Sequence, residues 1–444
     1  MTATFALCAA LAAAPGARSA AALVPARIDA ALLLDSSQAG AGLRAFLDGV
    51  AQRAPALSAG PHVSAAVGPD LLADPLSWGL ARSGPRALVV ADGAFALTAP
   101  VRDSKSARAS LQAWLGEAGP VRSRTIAGRT AFWSGDAKRT RVGLIASIAG
   151  SPRLLTASGA QAPALATALA KIGARSAATP PLSADQTLRA PLARLTGSAA
   201  LVLRGSDPLR ALALNLAGSA EGLVATGLLL APSPLLSGNA SDPAACSEAA
   251  LFCARAAFGP SGREVLALLA RAYVRAVLPA EKREAAARIA ERAAAAAERL
   301  VVRSDGADAR LLSEYTTPLP ALRLWAATSP GVDGASLDAN GPRPSCVRGD
   351  ATRTWFATPC RETVPADLAA KEGEPALDAR LDLAAVDAVL QKLSPLDVLH
   401  GGMAGALYAG RLTVGGLLRR SGPVRLRGSE HPSGAEVELR WPLH

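Results

Sequence analysis

Cysteine spacing restricts the chemistry of this chain more than any other pattern in it. Cys246 and Cys253 lie seven residues apart, and Cys346 and Cys360 lie fourteen apart. Thiolate zinc sites need two cysteines separated by two to four residues, or histidines close by, and neither occurs. The four cysteines therefore read as two disulfides; each pair is able to close locally, and the spacing leaves all three connectivities open. His62, His400, His431 and His444 are scattered, without the His-Glu-x-x-His spacing of a zinc hydrolase. No Gly-x-Ser-x-Gly turn marks a serine nucleophile. The run from Asp333 to Gly341 holds a fragment of a calcium loop but lacks its closing glutamate. Neither a catalytic set nor a metal or cofactor site is legible.

Two polar groupings remain. Asp35, Ser36 and Ser37 follow an apolar run, where a strand end would present them to a ligand. The same three residues read equally as a polar turn capping the next helix. Arg122, Arg124, Arg129, Lys138, Arg139 and Arg141 stand against Asp136 alone. Such a cluster attracts anionic polymers or surfaces, or else it is a solvated strand pair in an arginine-rich chain. The basic excess belongs to the first half: residues 1–222 carry 22 Lys and Arg against 12 Asp and Glu, while residues 223–444 carry 25 against 24. Aromatic residues make up 4 % of the chain, too few for stacking platforms, and no nucleic-acid motif accompanies the arginines. Nucleic acid is thus not an expected partner.

These residues are positioned by alternating strands and helices. Residues 31–35 read as a buried strand, followed by helical spacing over 40–52. Asp92-Gly93 between two apolar runs predicts a tight hairpin over 87–101. A helix over 104–115, strands at 130–133, 142–148 and 153–156, and a helix over 163–172 complete the first part. Residues 173–197 read as a proline-containing linker. The strand-then-helix opening then recurs at 199–216, with the helical part at 209–216, and again at 379–393. Long helices span 261–300, a strand meander over 298–328 follows, and a hairpin closes the chain at 424–441. No later stretch is apolar for long enough to span a membrane. The expected fold is α+β, with mainly antiparallel sheets, packed helices, duplicated halves and a disulfide-stapled second half.

The first residues carry an apolar run ending in Pro15-Gly16 and then small residues, the pattern of a secretory signal. This gives a signal peptide over 1–22 with cleavage between Ser19 and Ala22, an N-terminal domain over 23–172, the linker over 173–197 and a C-terminal domain over 198–444. Cleavage discards Cys8 and leaves an even cysteine count, as suits an oxidising compartment. Residues 330–375 form a Pro- and Gly-rich loop holding the second cysteine pair.

Residues 25–35, 87–103 and 198–207 resemble a family of exported bacterial proteins known as a domain of unknown function. The resemblance implies an α+β fold in the periplasm or outside the cell and supplies no catalytic residues. The expected function is accordingly a non-catalytic envelope binding or scaffold protein, whose partner is another envelope protein or an anionic surface polymer. The alternatives are an exported hydrolase without a local motif and a polyanion-binding protein acting through the basic first half.

Overall fold

The computed structural model describes residues 16–55, 66–70, 72, 75–136, 139–148, 150–172, 179–238, 251–277, 280–304, 309–315, 346–349, 354–358, 375–391 and 403–444. The apolar run before residue 16, Lys138, Cys246, Cys360, most of the 330–375 loop and the last part of the expected meander lie outside the described residues. The chain divides into two compact units, Met1–Ser206 with Ala211–Leu228, and Asp207–Arg210 with Leu229–His444.

The first unit is built around β1 (Ala30–Ser36), a nearly unbroken apolar run. Such a strand is stable only where both faces are covered. It pairs antiparallel with β2 (Ser83–Ala91) on one side and β8 (Ala199–Arg204) on the other. Beyond β2 the order continues through β3 (Ala94–Pro100), β7 (Ser151–Ser158), β6 (Arg141–Ile148) and β5 (Arg129–Ser134) to β4 (Arg122–Ile126). Beyond β8 it runs through β9 (Ala211–Ser219) to β10 (Gly222–Leu230). Among the described residues this unit carries the α-helices α1 (Ser37–Arg53), α2 (Ser104–Gly116), α3 (Ala162–Lys171) and α4 (Arg189–Ala193). The core under α1 and α2 contains Leu43, Leu97, Leu111, Trp114 and Leu154. The Asp92-Gly93 turn is as expected, with φ of 49° and 71° at its two residues.

Three expectations change. Residues 209–216 do not form a helix: Ala211 onward is strand β9, paired as Leu201↔Leu214, Val202↔Ala213 and Leu203↔Leu212. Alanine and leucine are strong helix formers, but alternation along this run and pairing with β8 override propensity. The Asp207-Pro208 pair expected to start that helix lies instead in the connection between β8 and β9, with a cis peptide bond. The expected linker is packed in its described part, where Leu182, Leu188, Leu192 and Leu195 are all buried. Finally, Gly16–Leu23 forms a 3-10 helix whose Ala17, Ala20, Ala21 and Leu23 are buried, and the Ala17 amide donates to the Gly197 carbonyl.

The second unit has β11 (Phe252–Ala257) at its centre, between β12 (Ala297–Ser304) and β16 (Leu377–Leu381). Beyond β12 come β13 (Ala309–Tyr315), β15 (Thr354–Thr358) and β14 (Cys346–Gly349). Beyond β16 come β17 (Val424–His431) and β18 (Gly434–Pro442). Its helices are α5 (Pro260–Val277), α6 (Ala280–Ala296), α7 (Leu383–Leu390) and α8 (Met403–Arg419). On β16, Asp378 is 6 % exposed and takes a two-pronged hydrogen bond from Arg425 at 2.9 and 3.0 Å, with Arg255 at 3.6 Å and Arg427 at 3.7 Å. Burial alone would raise its pKa, but the Arg425 hydrogen bond and the three positive charges together hold it below the usual carboxylate value.

The two units share one strand order. In the first it is β3–β2–β1–β8–β9–β10, and in the second β13–β12–β11–β16–β17–β18. In each, helix follows the central strand before the chain returns beside it. The counterpart of β1 is therefore β11, whereas the expected repeat at 199–204 is β8, the strand that pairs with β1. What differs is the segment inserted after the third strand. It adds β4 to β7 in the first unit and β14 with β15 in the second.

Candidate functional site

The inserted segment of the first unit forms a groove. The hairpin β4–β5 turns at Ala127-Gly128, with register Arg122↔Trp133, Arg124↔Ala131 and Ile126↔Arg129. Directly paired residues point to the same face and alternate along each strand, so these six side chains share one face. Helix α3 packs beside that face on β3, β6 and β7. Between them lies a cavity of about 640 Å³, walled by Arg124, Ile126 and Trp133 on the hairpin and by Pro163, Ala168 and Lys171 on the helix. A second cavity of about 530 Å³ flanks α3 on its other side and shares Ala164, Ala168 and Thr179 with the first. It is bordered by Arg27 and Asp92.

The electrostatics of the larger cavity are one-sided. Among the described residues, Arg124 and Lys171 are its charged groups, and no carboxylate, imidazole or thiol lines it. The Arg124 guanidinium lies 5.7 Å from the centre of the Trp133 ring, a cation–π arrangement that holds the planar head against an apolar surface. Both cations are exposed, and neither has a carboxylate partner among the described residues. A guanidinium held in this way presents a flat donor fork suited to carboxylate, sulfate or phosphate. The Thr167 hydroxyl is already spent on the Pro163 carbonyl at 2.7 Å.

The basic cluster does not act as one patch. Arg122 and Arg124 are exposed on β4. Arg129 donates to the Ser147 carbonyl at 2.8 Å. Arg141 is tied inward, pairing with Glu117 at 3.0 Å and stacking 4.9 Å from the Trp114 ring centre. Arg139 is exposed in the turn before β6, where its backbone amide bonds Asp136. Trp133 and Lys171 complete the groove but were not among the expected residues. Alternation on β5 marks Trp133 as sharing a face with the arginines, whereas nothing in the sequence places α3 beside it.

The Asp35-Ser36-Ser37 turn is taken up by local structure. The Ser36 hydroxyl caps α1 by accepting from the Ala39 amide at 3.4 Å, and it donates to Asp35 at 2.9 Å. Ser37 donates to the Arg82 carbonyl at 2.9 Å. Beneath the turn lies Arg86, fully buried, donating from one nitrogen to the carbonyls of Ala81 at 2.6 Å and Arg82 at 3.2 Å. Its other two nitrogens have no hydrogen-bond partner. Burial pushes its pKa down to about 10, with Asp35 opposing the shift. Nearby Arg153, 3 % exposed and bonded to Thr98 at 3.1 Å, is pushed down to about 9 by burial and then by repulsion from Arg86.

Among the described residues no helix is long and apolar enough to cross a membrane, and no group of three or more His, Cys, Asp and Glu side chains could hold a metal ion. No protein-family model matches the chain, and no curated protein does. Among solved structures, crystal form I of the treponemal protein TP0453 aligns with a TM-score of 0.28 at 10 % identity, covering 48 % of this chain and 78 % of that one. Crystal form IV aligns with a TM-score of 0.26 at 11 % identity, covering 50 % and 83 %.

Proposed function

We propose that this chain is an exported, non-catalytic binding protein of the bacterial envelope, and that it takes an anionic partner in the groove between β4–β5 and α3. The observation that carries this reading is the pair Arg124 and Lys171, which among the described residues have no carboxylate partner and stand at a cavity that no described acidic group lines. The ring of Trp133 adds an apolar wall, so a ligand with both charge and apolar surface fits best. Export fits the apolar leader, but a cut between Ser19 and Ala22 would remove buried Ala17. We therefore place the cleavage ahead of Ala17.

For the cysteines we propose the local pairs, Cys246 with Cys253 and Cys346 with Cys360. Cys253 is 1 % exposed and is not a free thiol. Strand β14, which carries Cys346, lies four strands from β11 in the order β11–β12–β13–β15–β14. At about 4.8 Å per strand that separation is roughly 19 Å, far beyond the ~7 Å limit for bridged Cα atoms. Local closure is the arrangement this register favours for Cys253.

The groove is tested by binding of a sulfated dextran to the full chain and to the double variant Arg124→Ala with Lys171→Ala. Affinity is expected to fall steeply with added salt and at least tenfold in the variant, while uncharged dextran does not bind. Unchanged affinity in the variant would remove the groove from consideration.

A further inference from the structure

We infer that β4 is an open sheet edge that accepts an extended acidic peptide as an added strand, an inference that rests on the groove being an anion-binding surface. The backbone supplies the first half of the argument. Ala127 and Gly128 have φ of 50° and 73°, a two-residue turn of the mirror-image type, and Ile126↔Arg129 is the pair that closes it. In such a hairpin the closing pair exchanges hydrogen bonds, and bonded and non-bonded pairs then alternate. Ile126, Arg124 and Arg122 therefore turn their backbone groups toward β5. Ser123 and Thr125 turn theirs outward. Among the described residues β4 pairs with β5 alone, and Arg122 through Thr125 are all exposed. The outward N–H and C=O groups of Ser123 and Thr125 are thus free to bond a further strand.

Charge supplies the second half. Positively charged side chains on an open edge block indiscriminate strand pairing. On β4 those side chains are Arg122 and Arg124, two residues apart on the groove face, with Lys171 across the cavity from Arg124. A strand added at Ser123 and Thr125 sets its own residues opposite Arg122 and Arg124 in non-bonded pairs, where side chains approach most closely. Glutamate or aspartate at those two positions, i and i+2, converts the block into attraction and leaves neutral or basic strands excluded. The next residue on that face meets Ile126, so it is apolar. The partner is therefore a protein segment, added antiparallel, in which an apolar residue precedes the alternating acidic ones, and the same edge rejects a segment of equal charge whose acids are clustered.

The test uses the full chain, a labelled eight-residue peptide of alternating Glu and Val, and a peptide of identical composition with the two residue types in separate blocks. The key variant is Thr125→Pro, which removes only an outward N–H at an edge position where proline is tolerated and leaves every charge in place. The alternating peptide is expected to bind at least tenfold more tightly than the block peptide. Thr125→Pro is expected to lose tenfold or more for the peptide while its affinity for sulfated dextran stays within twofold. Circular dichroism and a thermal melt check that the variant is folded, and Ser123→Pro serves the same purpose if it is not. Equal binding of the two peptides, or full retention by the folded proline variant, would show that charge alone holds the ligand and would overturn strand addition. Binding of sulfated dextran with neither peptide overturns strand addition and leaves the groove reading standing. No binding of any anionic probe overturns both.

Discussion

Arg86 and Arg153 carry positive charge into the interior with hydrogen-bond acceptors but, among the described residues, without an ion-pair partner. Each has a pKa in the folded chain, about 10 and about 9, below the ordinary guanidinium value. Between those values and the ordinary guanidinium value the unfolded chain binds more protons, so these two groups make folding more favourable as pH rises through that window. At neutral pH both remain charged and the cost of burying them is fully present. Arg86→Met keeps the volume and removes the charge, and it is expected to stabilise the chain by on the order of 1 kcal/mol at pH 7 and to flatten the rise above pH 9. Melting temperatures measured across pH would show a lower value in the variant if the guanidinium instead holds the turn together. Asp378 is the opposite case, a carboxylate whose pKa is depressed. Its contribution is present above its unfolded value near 3.8 and is lost as pH falls through the lower folded value. Asp378→Asn leaves Arg255, 9 % exposed, beside a neutral group, and a loss of about 3 kcal/mol by urea denaturation is expected. None of these roles is legible in the sequence, where the arginines are too numerous to single out. The Asp35-Ser36-Ser37 turn was legible as a cap or a contact, and Ser36 does cap α1.

At the scale of elements, the contact between α1 and β9 depends on two residues without side chains. A Cβ at Gly42 would stand 2.4 Å from the Gly218 carbonyl oxygen, so the helix can approach the strand only there. Gly42→Ala must push α1 outward, and a loss of about 2 kcal/mol is expected, read as a lower denaturation midpoint. A wild-type midpoint would mean that helix and strand are not in contact. This crossing could not be foreseen, because residues 209–216, just ahead of Gly218, read as helical from their alanines and leucines. Hairpins were far more legible. Asp92-Gly93 has positive φ at both residues and the closing hairpin has it at Gly434, a local property that needs no knowledge of distant partners. The groove sits between these cases: its arginines are visible as a cluster, but helix α3, its other wall, is brought there by tertiary packing.

At the scale of the molecule, the shared strand order shows that one scheme is used in both units, with the groove placed in the segment where they differ. Duplication was legible, but its phase was not. Both β1 and β8 are short apolar strands, and only pairing reveals that β8 completes the first unit instead of beginning the second. Accordingly a fragment of residues 16–230 is expected to unfold cooperatively on its own. One of residues 23–172 lacks β8, a neighbour of β1, and β9 beyond it, and it is expected to show no cooperative transition by circular dichroism. The pairing of Ala30 with Leu203 carries a further consequence in time. The first strand made must wait for a partner about 170 residues later, which at about 5–20 residues per second is roughly ten to thirty-five seconds of synthesis. Throughout that interval a long apolar strand has one edge uncovered. That uncovered edge is where pairing with other chains is expected to compete with folding while the rest is being made.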